Sequence, residues 1–583
     1  MAMMVIFVAV VLGLQLYRAK TTPPPSSTPP IAATQTPSQP APAASVVTPQ
    51  PAVAKSSAPA VPTVEASAES TTVVENDLYR ITFSNRGAQV TSWVLKGYKD
   101  LDSKPLDLIH HQAAALYGYP LSLSTADASI SSTINQALFV PSATGQLPAP
   151  ATLTFKYSRG DLQATKTFSF DAKTYVLHAE VAVTRAGAPV QALLSWPGGF
   201  GDQNETPKGT AYSYSQFDDY RNGTFDHIDA KKVAAGETLN GPFDFAGVAD
   251  PFFAAVFLPD NPASATVTTL HNDLDVSKTI KRVGFGSDSP PTGSLVLPVL
   301  GAALGNATGP IQTRIFVGPK AINVLKSVHA TDSRISLEPM LEFGFWGPVG
   351  KYLFLSLQAI HTHITANWSG SWGWAIVILT VFINILMLPF KIKTMHSALK
   401  MQRIQPQMDA IKERYKKYKV TDPKRSEMNA EIMQLQKDNG VSMFGGCIPS
   451  LITFPVLIAF FTMIPKVVDL RQAHWLWLPD LQASDPYHIL PVFTIVSMFL
   501  VQFYTPSPGV DPQQQKIMAF MMPAVSGYMT WIYPSGLALY WSVGNIISII
   551  QQAVMNRTSL GREMREVAAK RARRKGPPGQ GRK

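Results

Sequence analysis

The stretch IMAFMMPAVSGYMTWIYPSGLALYWSVGNIISIIQQAVMN, residues 517–556, carries no charged side chain. A membrane span needs ~20 apolar residues, so this run is long enough for two. Pro534-Ser-Gly536 interrupts it near its middle, and proline breaks or kinks a helix. The reading is a tight hairpin of two membrane helices. Upstream, 372–390 and 447–465 are also uncharged, and 487–504 has only His488 as an ionisable side chain apart from tyrosine. Five spans are therefore expected in a C-terminal module, and six with an N-terminal anchor.

Composition agrees. Of 583 residues, 46% are hydrophobic and 15% charged, whereas a soluble domain carries nearer a quarter charged. The length is too great for one ordinary core, so two or more domains are expected. A net charge of +11 and a pI of about 9.4 suit an anionic surface, whether nucleic acid or acidic lipid. Cys447 is the only cysteine, which excludes an internal disulfide and a cysteine-based metal site. His361 and His363 lie close together without an evident third ligand, so a structural or surface role is expected for the pair.

Residues 1–20 are read as an uncleaved transmembrane anchor. The run 1–17 is almost wholly apolar and no good A-x-A site follows it, although a cleaved signal peptide competes. Arg18 and Lys20 follow the run, and the lack of basic residues before it points to a start upstream. Residues 21–70, rich in Pro, Ala, Ser and Thr, bury too little to fold and read as a tether. From 71 to 335, short period-two runs such as 78–83, 153–157, 166–170, 175–183 and 313–317 are separated by Gly, Pro, Asn and Asp. That is the pattern of an all-β sandwich or barrel. Segment 336–366 sets Phe343, Phe345, Trp346, Tyr352, Phe354 and Leu357 against Lys351 and two histidines. An amphipathic helix in the membrane interface is expected there.

The five-span core is placed at 367–556. Between its first two spans lies a basic segment, 391–440. In it Met395, Leu399, Ile404, Met408, Ile411 and Tyr415, then Met428, Ile432 and Leu435, recur at three-to-four spacing, as in a helical hairpin with an apolar seam. The hairpin is either a solvated coil held to anionic lipid or a receiving platform for a client, and periodicity does not separate the two. The tail, 557–583, contains Lys570-Arg-Ala-Arg-Arg-Lys575. By the positive-inside rule the hairpin and tail are expected in the cytoplasm and the β domain outside.

The chain has no P-loop, H-E-x-x-H or G-x-S-x-G motif, so neither enzyme chemistry nor a nucleotide drive is expected. What stands out is polarity within the spans. Thr380 and Asn384 lie four apart on one helical face. Thr453 sits in the second span, Gln502 near the inner end of the third, and Ser542, Asn545 and Ser548 on the last. Interhelical hydrogen bonding, typically ~0.6 kcal/mol each, is the plainer account for the hydroxyls. An amide such as Asn384 or Asn545 is harder to satisfy in lipid. Pro389, Pro449, Pro455, Pro491 and Pro523 recur in or beside the spans and fit a bundle that is short, bent and partly wet.

Gly445-Gly-Cys-Ile-Pro449, Leu470-Arg-Gln-Ala473, Asp480-Leu481, Asp485-Pro-Tyr487, Ile489-Leu-Pro491, Asp511-Pro512, Gln514-Gln-Lys-Ile-Met518, Pro534-Ser-Gly-Leu537, Leu539-Tyr540 and Gln551-Gln552 occur in this order. With these motifs the region of about 370–555 resembles the bacterial YidC membrane protein insertase family (YidC/Oxa/Alb) in its Gram-negative form. The resemblance implies a multi-domain fold: an all-α polytopic membrane bundle, made of a five-helix insertase core plus the N-terminal anchor helix, with an all-β periplasmic super-sandwich domain. It implies an inner-membrane protein that inserts and helps fold integral membrane proteins, alone or with the Sec translocon, through a hydrophilic groove open to cytoplasm and lipid. The implied partners are nascent integral membrane proteins, the Sec translocon and its accessory subunits, the ribosome through the basic tail and cytoplasmic loop, and anionic lipid. No nucleotide, metal or other cofactor is implied.

The same resemblance assigns Thr380, Asn384, Asn545 and Ser548 to the groove and makes Leu457 and Tyr540 client contacts. The family's groove usually holds a positive charge five residues before the proline that ends its first module helix. Counting back from Pro389 gives Asn384, so the chain departs from the pattern there. Lys391 and Lys393, about two turns further on at the cytoplasmic mouth, are the expected substitutes. A polytopic solute transporter with an outer sensing domain is the alternative. Missing internal repeats and the lack of an acidic residue in any span stand against it.

Overall fold

The computed structural model describes residues 62–100, 102–204, 215–275, 296–418, 422–441, 448–504 and 512–575. The expected anchor at 1–20, the tether over 21–61, Cys447 with its preceding glycines, the side chain of Thr453 and the last residues of the tail, 576–583, lie outside the described residues.

Among the described residues the N-terminal half is built on three sheets. The largest has ten strands. Along it run Thr224–Asp229, Gln216–Arg221, Phe243–Ala249, Phe253–Pro259, Ile311–Pro319, Val176–Arg185, Leu162–Phe170, Ala151–Arg159 and Val140–Pro141, and Ala188–Pro189 pairs beside Val176–Arg185. Two five-stranded sheets share the same core, in which Phe83 lies 5.3 Å from Phe168 and Trp93 lies 5.9 Å from Trp196. The strand Leu162–Phe170 shows the alternation that the sequence reading used, with every second residue buried.

The region is the expected β-rich domain, with helices His111–Tyr117 and Ala128–Gln136 set between strands and Ile322–Ser327 following the strand Ile311–Pro319. The second is started by Asp127, whose carboxylate accepts the Ser129 backbone N–H. The chain is also pinned upstream of the expected boundary at 71. Val64 and Ser158 exchange both backbone hydrogen bonds, at 2.8 Å each.

The C-terminal half is helical. Gly347–Ile360 follows the sheets and buries Gly350, Phe354 and Leu357, while Phe345 and Tyr352 remain 91% and 72% exposed. Helices stand at all five expected span positions: Ser371–Leu386, Ile448–Met463, Ile489–Tyr504, Pro512–Ile532 and Ser535–Arg557. Only Ser535–Arg557 is by itself long and apolar enough to cross a membrane among the described residues. The first span ends at Leu386, not at residue 390, and the chain bends by 47° into Leu388–Arg414. Pro389 lacks the N–H that would continue the ladder, and its ring disfavours helical backbone just before it. At 1.5 Å per residue, a 16-residue helix such as Ser371–Leu386 is about 24 Å long, short of a ~30 Å hydrocarbon layer.

The first span packs on the last, and the third packs on both the fourth and the last. Leu388–Arg414 and Lys424–Asp438 form the expected hairpin, with Ile404, Met408 and Val441 in its seam. Ser559–Lys575 lies against it through Met395, Leu399 and Met564 and an Arg403–Glu563 ion pair.

Candidate functional site

The polar side chains of the helical half are not scattered. On Ser535–Arg557 four of them, Ser542, Asn545, Ser548 and Gln551, form a row with a spacing of three. A spacing of three on a helix of 3.6 residues per turn drifts by about 60° per step, so this row winds around the helix. Its two ends therefore face different neighbours.

The upper end faces the third span. Ser542 Oγ lies 3.0 Å from Thr494 Oγ1, and Asn545 Nδ2 donates to Ser497 Oγ at 3.0 Å. Ser497 in turn donates to the Thr494 carbonyl at 3.2 Å. All four side chains are buried. Asn545 thus finds the interhelical partner that an amide in lipid needs.

The lower end faces the first span and the bend. Lys391 reaches back across the bend, and its Nζ donates to Asn384 Oδ1 at 3.1 Å, Ser548 Oγ at 3.4 Å and Gln551 Oε1 at 2.7 Å. Gln551 Nε2 donates to the Asn384 backbone carbonyl at 3.3 Å and closes the ring. Among the described residues no carboxylate pairs with this ammonium. Lys393, expected to act beside it, is exposed and has no partner among the described residues.

Thr380 and Asn384 satisfy themselves within their own helix. Thr380 Oγ1 donates to the Ile376 carbonyl at 2.7 Å, and Asn384 Nδ2 to the Thr380 carbonyl at 2.9 Å. Thr380 is fully buried, whereas Asn384 is half-buried and keeps its amide oxygen for Lys391. Tyr540 is half-buried, with its ring stacked on Phe460 at 4.0 Å and 10°. Leu457, on Ile448–Met463, is half-buried.

One end of this arrangement is sealed by the loop after the second span. Gln482 donates to the Val467 carbonyl at 2.8 Å and also to that of Ile464. Asp480 Oδ1 accepts the backbone N–H of Gln472 and Gln482, each at 2.8 Å, and its carbonyl accepts Ser535 Oγ at 2.9 Å. Asp485 accepts Leu490 N at 2.7 Å. Gly373 is required beneath this loop, because a Cβ there would lie 2.2 Å from the Trp475 ring. The loop is also fastened to the β-rich half. Arg471 donates to the Lys99 carbonyl at 2.6 Å, and Gln472 to those of Lys99 and Asp100 at 2.9 Å each.

Comparison with known proteins gives this arrangement its family. The 60Kd inner membrane protein family matches residues 364–562, and the YidC periplasmic domain matches residues 71–356. The membrane protein insertase YidC of Ralstonia nicotianae is 33% identical over 509 residues, covering 85% of each chain. This chain belongs to the YidC family of membrane protein insertases. The YidC insertase of Syntrophus aciditrophicus is 30% identical over 577 residues, covering 95% of this chain and 98% of its own. A crystal structure of an active YidC insertase with its first transmembrane domain resolved matches at 16% identity and a TM-score of 0.32, covering 86% of this chain and 95% of that one.

The chain is therefore an inner-membrane insertase with a helical core and a β-rich periplasmic-type domain. Asn384, Asn545, Ser548 and Lys391 are among the residues expected from sequence, whereas Thr494 and Ser497 are not. Their three-residue spacing repeats that of Ser542 and Asn545 and was the available signal. Gln551 entered only as part of a family motif. In the sequence the motifs at 470–487 carry only resemblance, and in the fold their polar groups tie the loop after the second span to Ser535 and to its own backbone.

Proposed function

We propose that this YidC member inserts apolar client segments through a hydrophilic groove formed by Thr380, Asn384, Asn545 and Ser548, with Lys391 at its cytoplasmic mouth. The observation that carries the reading is the polar row on Ser535–Arg557, which ends in an ammonium held, among the described residues, only by neutral oxygens. Unassisted transfer would expose each peptide group to hydrocarbon, at several kcal/mol for each unsatisfied one. A wet path through half the bilayer removes much of that cost, and short helices such as Ser371–Leu386 thin the remainder. The client's own apolar surface supplies the drive for lateral exit, with Leu457 and Tyr540 as contacts beside the path.

In this reading the β-rich domain is periplasmic, and the hairpin and C-terminus are cytoplasmic, where their basic residues meet anionic lipid and the ribosome. Nascent integral membrane proteins are the clients, taken alone or from the Sec translocon. Photo-crosslinkers placed at Asn384, Leu457 and Tyr540 during client synthesis test it. Adducts at these positions, and none from outward-facing Val554, are the expected result. Absence of client adducts at all three overturns the groove.

A further inference from the structure

Lys391 sits on the wrong helix to be a fixed part of a groove. The span carrying Thr380 and Asn384 ends at Leu386, and Lys391 belongs to Leu388–Arg414, beyond a 47° bend. That second helix is the first arm of the hairpin. One to three turns beyond Lys391 it packs through Met395 and Leu399 on Met564, with Met555 at the edge of the same cluster, and Arg403 pairs with Glu563. The Lys391 side chain is the polar tie from this arm back to the first and last spans. A neutral cradle holds an ammonium only as well as neutral acceptors can. A hydrogen bond to a carboxylate is shorter and roughly twice as strong. Any client carboxylate that reaches Asn384 is therefore the better partner, and the ammonium cannot serve both at full strength.

We propose that Lys391 is a latch tying the hairpin arm to the groove, and that an acidic client segment releases it. The inference rests on the groove reading and adds regulation to it. A carboxylate in the groove draws Lys391 from Ser548 and Gln551, and the arm is freed to swing about the bend at Met387. Asn384, Ser548 and Gln551 are positioning residues in this scheme. Gln551 matters most, because it has the shortest contact to the ammonium and also ties back to the Asn384 backbone.

The test uses the full chain in proteoliposomes with Cys447→Ser and spin labels at Lys400→Cys on the arm and Val554→Cys on the last span. The probes are a client whose translocated segment carries several Asp and Glu residues and its Asn/Gln counterpart. The acidic client is expected to shift the label-to-label distance and the neutral one is not. Lys391→Met is expected to show the shifted distance with no client present. Gln551→Glu gives the ammonium a resident carboxylate and is expected to lower the acidic-over-neutral insertion preference about fivefold to tenfold. An unchanged distance in Lys391→Met, or equal shifts with both clients, overturns the latch. If clients still crosslink to Tyr540 in that case, the groove stands and only the latch falls. If they do not, the groove reading falls first.

Discussion

Among the described residues two lysines are each held by three neutral oxygens, one in each half. In the β-rich half Lys166 is fully buried, and its Nζ donates to the carbonyls of Gly87 at 2.7 Å, Ala88 at 3.2 Å and Leu121 at 2.7 Å. In the helical half Lys391 is half-buried and meets the side chains of Asn384, Ser548 and Gln551. The difference lies in what the acceptors are attached to. Backbone carbonyls in the sheet region do not turn away without breaking the fold, so Lys166 is a permanent rivet. Side-chain acceptors rotate, and the arm carrying Lys391 hangs on a bend. The same chemistry gives structure in one half and an exchangeable contact in the other.

The largest expected effect tests the rivet. Lys166→Met keeps much of the volume but leaves three buried carbonyls without their donor, at ~1–3 kcal/mol each, offset in part by no longer burying the amine. A net loss of about 3 kcal/mol is expected, lowering the melting temperature of the β-rich half by roughly 5–10 °C. Hydrogen exchange along Leu162–Phe170 in the detergent-solubilised chain reads it locally. Unchanged protection there would dissolve the contrast between the two lysines.

A pH titration sharpens the same contrast. Burial pushes the Lys166 ammonium from its ordinary value near 10.5 down to about 7. Between these values the unfolded chain keeps a proton that the folded one has lost, so stability rises with pH from about 7 to about 10.5. The slope is at most about 1.4 kcal/mol per pH unit. Below pH 7 both states are protonated and this contribution is flat. Denaturation midpoints of the wild type and Lys166→Met are expected to diverge across that window and run parallel below it.

The two halves also differ in how much their sequence discloses. Alternation exposes Leu162–Phe170 because one face is buried and the other is not. It misses Phe243–Ala249 and Phe253–Pro259, which are buried on nearly every side and so show no period. It puts Lys166 on the same face as Phe168 and Phe170. Its acceptors lie at 87, 88 and 121, distant in sequence, and only folding brings them together. In the helical half each span announces itself by apolar length, and the polar residues inside are conspicuous by rarity. Asn384 and Asn545 are legible for that reason, and Lys391 only through the groove charge that the family resemblance leads one to expect. The seal at 470–487 is not legible, since its Asp and Gln side chains bond to backbone within a loop that has no period at all.

A smaller effect is expected at the latch. Lys391→Met removes no buried carbonyl's donor, because Asn384, Ser548 and Gln551 can turn to water or to one another. Stability is expected to change by less than ~1 kcal/mol. Insertion of acidic-tailed clients, scored by protease protection in proteoliposomes, is expected to fall about tenfold while neutral-tailed clients fall less than twofold. A stability loss as large as that of Lys166→Met would make the two lysines alike.

Lys393→Met is expected to do least, and it isolates the reason. Residues two apart on a helix point about 200° away from each other. With Lys391 turned toward Asn384 and the last span, Lys393 must face the other way, and it is exposed. A screened surface ammonium is worth at most a few tenths of a kcal/mol to folding. Its field on a carboxylate in the groove passes through the helix and through water. Both stability and the acidic-over-neutral preference are therefore expected to stay within twofold of wild type, and the double variant with Lys391→Met to match Lys391→Met alone. If Lys393→Met instead lowered the preference as far as Lys391→Met, bulk positive charge at the mouth would govern client choice, and the cradle around Lys391 would be incidental.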